Sequence, residues 1–241
     1  MENSIQITTV RCLSVIARSL ILICLLSQTA LAQTSPTLVR VEEDWILLVD
    51  EPDSPLASPQ ILNVISPNQN LDGIFGLVQL NHRSDPSFYA GGQQVQAWIG
   101  PSLVGYASGT KTAVLYRTAD QITYTVSMER VSTGIRFQLK NGRSRTWGRF
   151  AWTPVSVTVP TTDKDLSAYT PEFSAANTTV VLGAHRITSF YINTTRRIYN
   201  DGSTVTDTTD RFTHRYQLSV EDVPIAEYQA NPEDYEVDIA E

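Results

Sequence analysis

The chain has 241 residues, and its 18 lysines and arginines against 25 aspartates and glutamates give a formal net charge of −7. This acidic balance argues against a general nucleic-acid binder, which needs surplus positive charge to neutralise phosphates. Both cysteines, Cys12 and Cys24, lie near the amino terminus. The remainder therefore has no thiol for a disulfide, a metal site or a nucleophile.

Residues 1–32 have the pattern of a secretory signal peptide. Arg11 and Arg18 supply positive charge, residues 20–26 form a short apolar run, and residues 30–32, Ala-Leu-Ala, form a small-residue cleavage pattern. The apolar run is too short and too close to charges for a membrane span. We therefore expect a protein that is secreted, periplasmic or in the cell envelope, with no stable membrane insertion after signal removal.

Residues 33–220 alternate between apolar and polar side chains with the period of two that is typical of strands, and no helical period stands out. This length is sufficient to bury a core without disulfides. We predict a single all-β domain, an antiparallel β-sandwich. Strands are expected at residues 38–50, 61–65, 74–80, 91–100, 111–117, 155–159, 178–192 and 205–220, with three more within 121–152.

The first of these strands shows the alternation clearly. Its apolar residues should face the core, and a polar set with one isoleucine should face outward. The inward set is Val39, Val41, Trp45, Leu47 and Val49, and the outward set is Glu42, Asp44 and Ile46.

The strand at residues 91–100 carries a candidate sugar-binding stripe. Gln94, Gln96 and Trp98 fall on the face opposite Val95 and Ala97. An aromatic ring can stack on a pyranose, and amides can hydrogen-bond its hydroxyls. The alternative is that Trp98 packs into a core or beneath a loop.

Residues 121–152 are expected to form three strands joined by two tight turns, around residues 132–134 and at Asn141-Gly142. Asn-Gly is the strongest short hairpin signal, because both central residues of a type I′ turn need positive φ. This register makes one face apolar, with Ile135, Phe137 and Leu139. The other face should be basic and exposed, with Lys140 opposite Arg143, Gln138 opposite Arg145 and Arg136 opposite Trp147.

Two features are expected near the end of the domain. Gly183 within residues 178–192 should mark a bulge or bend where the strand crosses between sheets. This strand should pair with residues 205–220 through a turn at residues 200–203.

Residues 221–241 form an acidic tail. Eight of them are acidic, none is lysine or arginine, and Pro224 and Pro232 would interrupt a strand. Opposite charges suggest the hypothesis that this tail lies along the predicted basic face.

Motifs for catalysis and metal binding are weak. His82, His185 and His214 are the only histidines, and they form no spaced ligand cluster. Nucleophile-elbow, phosphate-loop and zinc-protease motifs are missing. Residues 236–241 have the Glu-x-Asp-x-x-Glu spacing of a glucanase strand, but their terminal position favours coincidence. We predict no catalytic residue, no metal and no cofactor.

Several segments resemble uncharacterised secreted bacterial β-sandwich proteins, and the strand order resembles the concanavalin A-like jelly roll of lectins and glucanases. The segments are residues 41–45 (VEEDW), 80–82 (LNH), 91–93 (GGQ) and 141–148 (NGRSRTWG). The resemblance implies a jelly roll. It departs from glucanases, because it lacks a mid-chain carboxylate strand, and from legume lectins, because it lacks an Asp/Asn metal cluster.

Three functions follow as hypotheses. The first is a non-catalytic module that binds an anionic or neutral extracellular or cell-wall polysaccharide. The second is a structural or assembly protein of the cell surface, and the third is a glycoside hydrolase or lyase. The residues predicted to bind a glycan are Gln94, Gln96, Trp98, Arg136, Arg145 and Trp147.

Overall fold

The computed structural model describes residues 35–49, 59–81, 92–111, 115, 119–182, 184–213 and 215–216. Within this part of the chain lie fourteen strands and one short helix, α1 (Pro171–Ala176), which is capped by the Thr170 hydroxyl. The strands are β1 (Leu38–Val49), β2 (Gln60–Ile65), β3 (Ile74–Leu80), β4 (Gln93–Ile99), β5 (Ser102–Gly109), β6 (Asp120–Val131), β7 (Gly134–Ser144), β8 (Gly148–Phe150), β9 (Val155–Pro160), β10 (Thr179–Leu182), β11 (Ile187–Tyr199), β12 (Thr204–Asp207), β13 (Arg211–Phe212) and β14 (Arg215–Tyr216).

These strands form two sheets that pack as a sandwich. The first sheet has the order β12-β11-β1-β6-β7-β8, with β13 beside β11 and β9 beside β7. The second has the order β14-β10-β2-β3-β4-β5. All described pairs are antiparallel except β10 with β14. The predicted all-β antiparallel sandwich is confirmed, whereas the jelly-roll subtype stays a prediction.

The core follows from the alternation of side chains along each strand. In β1, Val41, Trp45, Leu47 and Val49 are all buried, as the sequence predicted. Val39 is only half-buried, since a bulge beside it turns Leu38 inward. From the second sheet, the core receives the apolar side chains Ile61, Ile65, Val78, Leu80, Val95 and Ala97.

The hairpin predicted at Asn141-Gly142 is wrong. β7 continues through both residues, and its turn comes later, at residues 145–147. Asn141 does adopt a positive φ of 58°, but it lies in a bulge. Between the pairs Lys140–Thr125 and Arg143–Thr123, β7 has one residue more than β6. The same left-handed preference of Asn that favours a turn also serves a bulge.

The predicted crossing between the sheets near residue 183 is confirmed. β10 belongs to the second sheet, and β11, which follows after a 3₁₀ turn at Ala184–Arg186, belongs to the first. The turn at residues 200–203 joins β11 to β12, also as predicted. The single strand expected at residues 205–220 is wrong, because three short strands, β12, β13 and β14, divide its described part.

Other predictions meet mixed outcomes. β5 was not predicted, and neither Lys111 nor Leu115, the only described residues of the strand expected at 111–117, is in a strand. The helix α1 was also missed. The signal peptide and the acidic tail lie outside the described residues.

None of the helices in the described part of the chain has both the length and the apolar character needed to cross a membrane.

Candidate functional site

The predicted stripe lies on β4, but its side chains are bonded to one another. Trp98 Nε1 donates to Gln96 Oε1 at 2.9 Å, and Gln96 Nε2 donates to Gln94 Oε1 at 2.5 Å. Gln94 Nε2 then donates to Ser108 Oγ of β5 at 3.0 Å. Trp98 also lies parallel to the Phe75 ring, with centroids 6.0 Å apart. The polar groups of the stripe are hydrogen-bonded to one another and to Ser108. The stripe therefore offers a ligand fewer free polar groups than the alternation suggested.

Trp147 does not join this stripe. Its side chain is only 8% exposed, and it meets Phe150 edge-on with centroids 5.1 Å apart. The prediction that Trp147 faces solvent is therefore wrong. Because β7 runs on through the bulge at Asn141, the indole falls in the following turn and packs into the core rather than opposite Arg136.

The outer face of the first sheet is not a free basic surface either. Arg136 pairs with Glu129 of the neighbouring strand. Lys140 Nζ lies 2.6 Å from Glu42 Oε1 of β1, and Arg196 bonds both Glu42 and Asp44. Carboxylates on β6 and β1 thus neutralise Arg136 and Lys140, two of the charges on which the hypothesis of tail docking relies.

Arg145 lies apart from the other predicted residues. It is exposed in the turn after β7, where its backbone N–H donates to Asp120 Oδ1 at 2.6 Å. Its guanidinium donates to the Ala119 carbonyl at 3.2 Å. The six predicted residues therefore occupy separate places in the fold and do not form one surface.

A cleft of about 510 Å³ lies between the carboxyl end of β5 and the connection from β8 to β9. Its lining comes from Gln93, residues 107–111 and residues 149–156. Of the predicted site residues, none lines this cleft. Sequence reasoning missed it because its walls come from separate parts of the chain that only the fold brings together.

Trp152 dominates one wall of this cleft. Its side chain is 62% exposed, unlike Trp45 and Trp147, which are buried in the core. The Arg149 guanidinium carbon lies 4.7 Å from its ring centroid, a cation–π contact that fixes the indole. The neighbouring Phe150 is 2% exposed and anchors this segment to the core. An exposed indole on an anchored turn is a ready stacking platform.

Lys111 and Gln93 supply polar groups. Lys111 Nζ donates to the Arg149 carbonyl at 2.9 Å and, more weakly, to the Trp147 carbonyl at 3.4 Å. Partial burial lowers the pKa of Lys111 below its ordinary value. Gln93 is 5% exposed, and its Oε1 atom has no hydrogen-bond partner among the residues that the structure describes. A buried amide oxygen without a donor is costly, and a ligand hydroxyl would satisfy it.

The cleft has a positive charge in an acidic chain. Lys111 and Arg149 are the only charged residues in its described lining, which has no aspartate or glutamate. Hydroxyls from serines and threonines complete the polar wall. This combination of an indole, cations, hydroxyls and an unsatisfied acceptor suits an oxygen-rich ligand.

Comparisons with known proteins add no relative: no family model matches the chain, and no curated protein or solved structure matches it. The resemblance to secreted bacterial β-sandwich proteins therefore stays a hypothesis. Among the described residues, no group of three or more His, Cys, Asp or Glu side chains is placed to hold a metal ion. His82, His214 and the His185 side chain lie outside what the structure describes.

Proposed function

We propose that the protein binds carbohydrate in the cleft at Trp152, outside the cytoplasm and after removal of its signal peptide. The observation that carries this proposal is the exposed indole at a cleft whose buried Gln93 oxygen lacks a partner. Carbohydrate offers what these groups need, namely an apolar ring face for stacking and hydroxyl donors for an orphaned acceptor. The site differs from the six residues predicted from the sequence, but the ligand class is the same.

Replacing Trp152 by alanine should lower glycan affinity about tenfold or more, because stacking and burial of an indole contribute more than 1 kcal/mol. The measurement is a glycan array followed by titration calorimetry on the best ligand. Trp98→Ala is the matched control, since Trp98 is a partly exposed tryptophan on β4 that does not line the cleft. Its affinity should stay within about twofold of the parent.

The reverse pattern, with loss in Trp98→Ala and none in Trp152→Ala, would move the site to the β4 stripe. Failure of the parent protein to bind any glycan on the array would contradict the proposal itself. Unfolding curves of both variants separate loss of a contact from loss of the fold.

Self-association is the second candidate function, and the edge strand β5 favours it. β5 ends the second sheet, and Leu103, Val104 and Tyr106 are 45%, 45% and 64% exposed. Ser102–Gly109 contains no charge or proline, the devices that normally protect an edge from pairing. The proposed occupant is a second copy, because two β5 strands related by a twofold axis pair antiparallel and carry no charges that repel.

Val104→Lys should abolish this association, since it places two like charges at the pairing edges. Sedimentation equilibrium would show an average mass that rises with concentration for the parent and stays at one chain for the variant. The control is Val205→Lys, a change at a 50% exposed valine on β12, an edge strand of the first sheet. A parent that stays monomeric at high concentration contradicts this second function.

The hydrolase hypothesis needs two carboxylates facing one groove. The described lining of the cleft supplies no carboxylate. The Glu-x-Asp-x-x-Glu stretch at residues 236–241 lies outside the described residues. No observation on the described chain favours this third hypothesis over binding.

A further inference from the structure

We infer that the ligand of the cleft is an acidic saccharide, whose carboxylate is bound by Arg149 and Lys111 while a sugar ring stacks on Trp152. This inference rests on the proposed function and names the class of sugar. The sequence left neutral and anionic polysaccharides open. The arrangement of charge in the cleft now separates them.

Arg149 is the first part of the argument. Its guanidinium lies over the Trp152 ring at 4.7 Å, and its five N–H donors make no hydrogen bond within the described part of the chain. The guanidinium fork matches the geometry of a carboxylate. A sugar stacked on Trp152 therefore brings its substituents within reach of a cation that is already held in place.

Lys111 adds a second cation with a fixed position. Two of its three N–H donors point to the carbonyls of Arg149 and Trp147. These bonds tie the ammonium to the backbone that carries Arg149, and they leave its third donor for a ligand. Two cations in one cleft repel each other unless an anion lies between them.

Gln93 argues for a sugar acid over a simple anion. Its unpartnered Oε1 atom accepts a hydrogen bond and so requires a donor. A carboxylate or sulfate ion alone has no donor to offer. A uronic acid carries both a carboxylate for the cations and hydroxyls for Gln93, so it satisfies the whole cleft.

The rest of the chain sharpens this preference. The chain has a net charge of −7, and several described cations outside the cleft are paired with carboxylates, as Arg196 is with Asp44 and Lys140 with Glu42. The described lining of the cleft contains two cations and no carboxylate that could neutralise them. An acidic polymer bound here should respond to salt, because ions screen such contacts over about 10 Å at 0.1 M.

The test compares two ligands with the same sugar backbone, oligogalacturonate and its fully methyl-esterified form, in which each carboxylate is an uncharged methyl ester. Calorimetry on the full secreted chain should show that oligogalacturonate binds about tenfold or more tightly than the methyl ester. Raising the salt concentration from 50 to 300 mM should lower the affinity for oligogalacturonate and leave the affinity for the ester nearly unchanged.

Two variants assign the preference to Arg149. Arg149→Gln should reduce the ratio of the two affinities to within about threefold, and Arg149→Lys should keep part of it because the charge is retained. Arg143→Gln is the matched control: Arg143 lies opposite Arg149 on β7, is exposed, and does not line the cleft. Because its charge lies near Arg149 but outside the cleft, it should lower the ratio clearly less than Arg149→Gln does.

The outcomes separate this inference from the proposed function. If both ligands bind equally and Trp152→Ala abolishes both, the cleft binds carbohydrate and the acidic preference is wrong. If Arg143→Gln lowers the ratio as much as Arg149→Gln, general charge rather than the cleft accounts for it, and the inference fails. If neither these ligands nor any arrayed glycan binds, the proposed function fails too.

Discussion

Replacing Glu43 by glutamine is expected to remove most of a fall in stability that we predict between about pH 4.5 and 7. Glu43 points into the core from β1 and is fully buried. Burial raises the pKa of its carboxyl from an ordinary value of 4.5 to about 7, although hydrogen bonds donated by the Tyr169 hydroxyl and Trp45 Nε1 oppose the rise. The folded chain therefore keeps a proton that the unfolded chain releases.

The sign of the effect follows from this difference. Within that pH range, unfolding releases a proton, so the free energy of unfolding falls as pH rises. The stabilisation is complete below pH 4.5 and is lost above pH 7, a total of roughly 3 kcal/mol. A glutamine at this position does not titrate, and its amide can donate to the Tyr169 oxygen while its carbonyl accepts from Trp45 Nε1. At pH 8 the variant should be more stable than the parent.

Urea unfolding of the parent and of Glu43→Gln at several pH values measures this difference. Histidines titrate in the same range, so the informative quantity is the difference between the two proteins. The control is Glu172→Gln on α1: partial burial is outweighed there by the hydrogen bond from Arg211, and the pKa of Glu172 is lowered. Parallel curves for the parent and Glu43→Gln would show that Glu43 is ionised in the fold at neutral pH.

Phe150→Ala should destabilise the protein by about 3–5 kcal/mol, because it empties a fully packed site. The Phe150 ring is 2% exposed and lies against Tyr124 and Trp147. It also covers Gly142 on the neighbouring strand: a methyl group at Gly142 would lie 2.3 Å from the ring. Gly142→Ala should therefore cost about 1–3 kcal/mol on its own through overpacking.

The double variant makes the prediction specific. Once Phe150 is alanine, the methyl group at position 142 enters empty space, so Gly142→Ala should cost much less or become favourable. A coupling energy of about 1 kcal/mol or more is expected. Phe190→Ala is the matched control, since Phe190 is 1% exposed but lies on β11, with β1 and β6 between it and β7. Additive costs in the Phe150 pair would contradict the packing described here.

Alternation along the chain was enough to predict most of the fold. β1, β3, β4 and β9 lie close to their expected positions, because one buried face imposes a period of two on the residues that form it. The turn at Asn141-Gly142 failed because the same backbone preference serves two structures. Only the pairing partner, β6, decides between a hairpin and a bulge. The sequence does predict that partner, across the turn at residues 132–134, but it does not predict the register shift that places an extra residue of β7 opposite it.

The site was harder to predict than the fold. Trp98 and Trp147 drew attention because they follow strand alternation, yet a tryptophan within a regular pattern is usually packed. Trp152 breaks the pattern: it lies between Ala151, whose φ is 48°, and a Thr-Pro pair that precedes the next strand, β9. An aromatic residue beside turn-forming residues is a signal that could have pointed to exposure. Glu43 was missed for the opposite reason, since an inward carboxylate violates the expected polarity of its face.

The central position of β1 has a consequence for the order of events during biosynthesis. β1 is the first strand of the domain, but it lies between β6 and β11, and its Asp44 bonds Arg196, 152 residues later. Pairings between such distant segments slow folding, because a long loop must close before they form. The first sheet cannot close around its earliest strand until nearly the whole chain has been synthesised. If the chain is secreted, as proposed above, this delay would give it time to cross a membrane before its native contacts form.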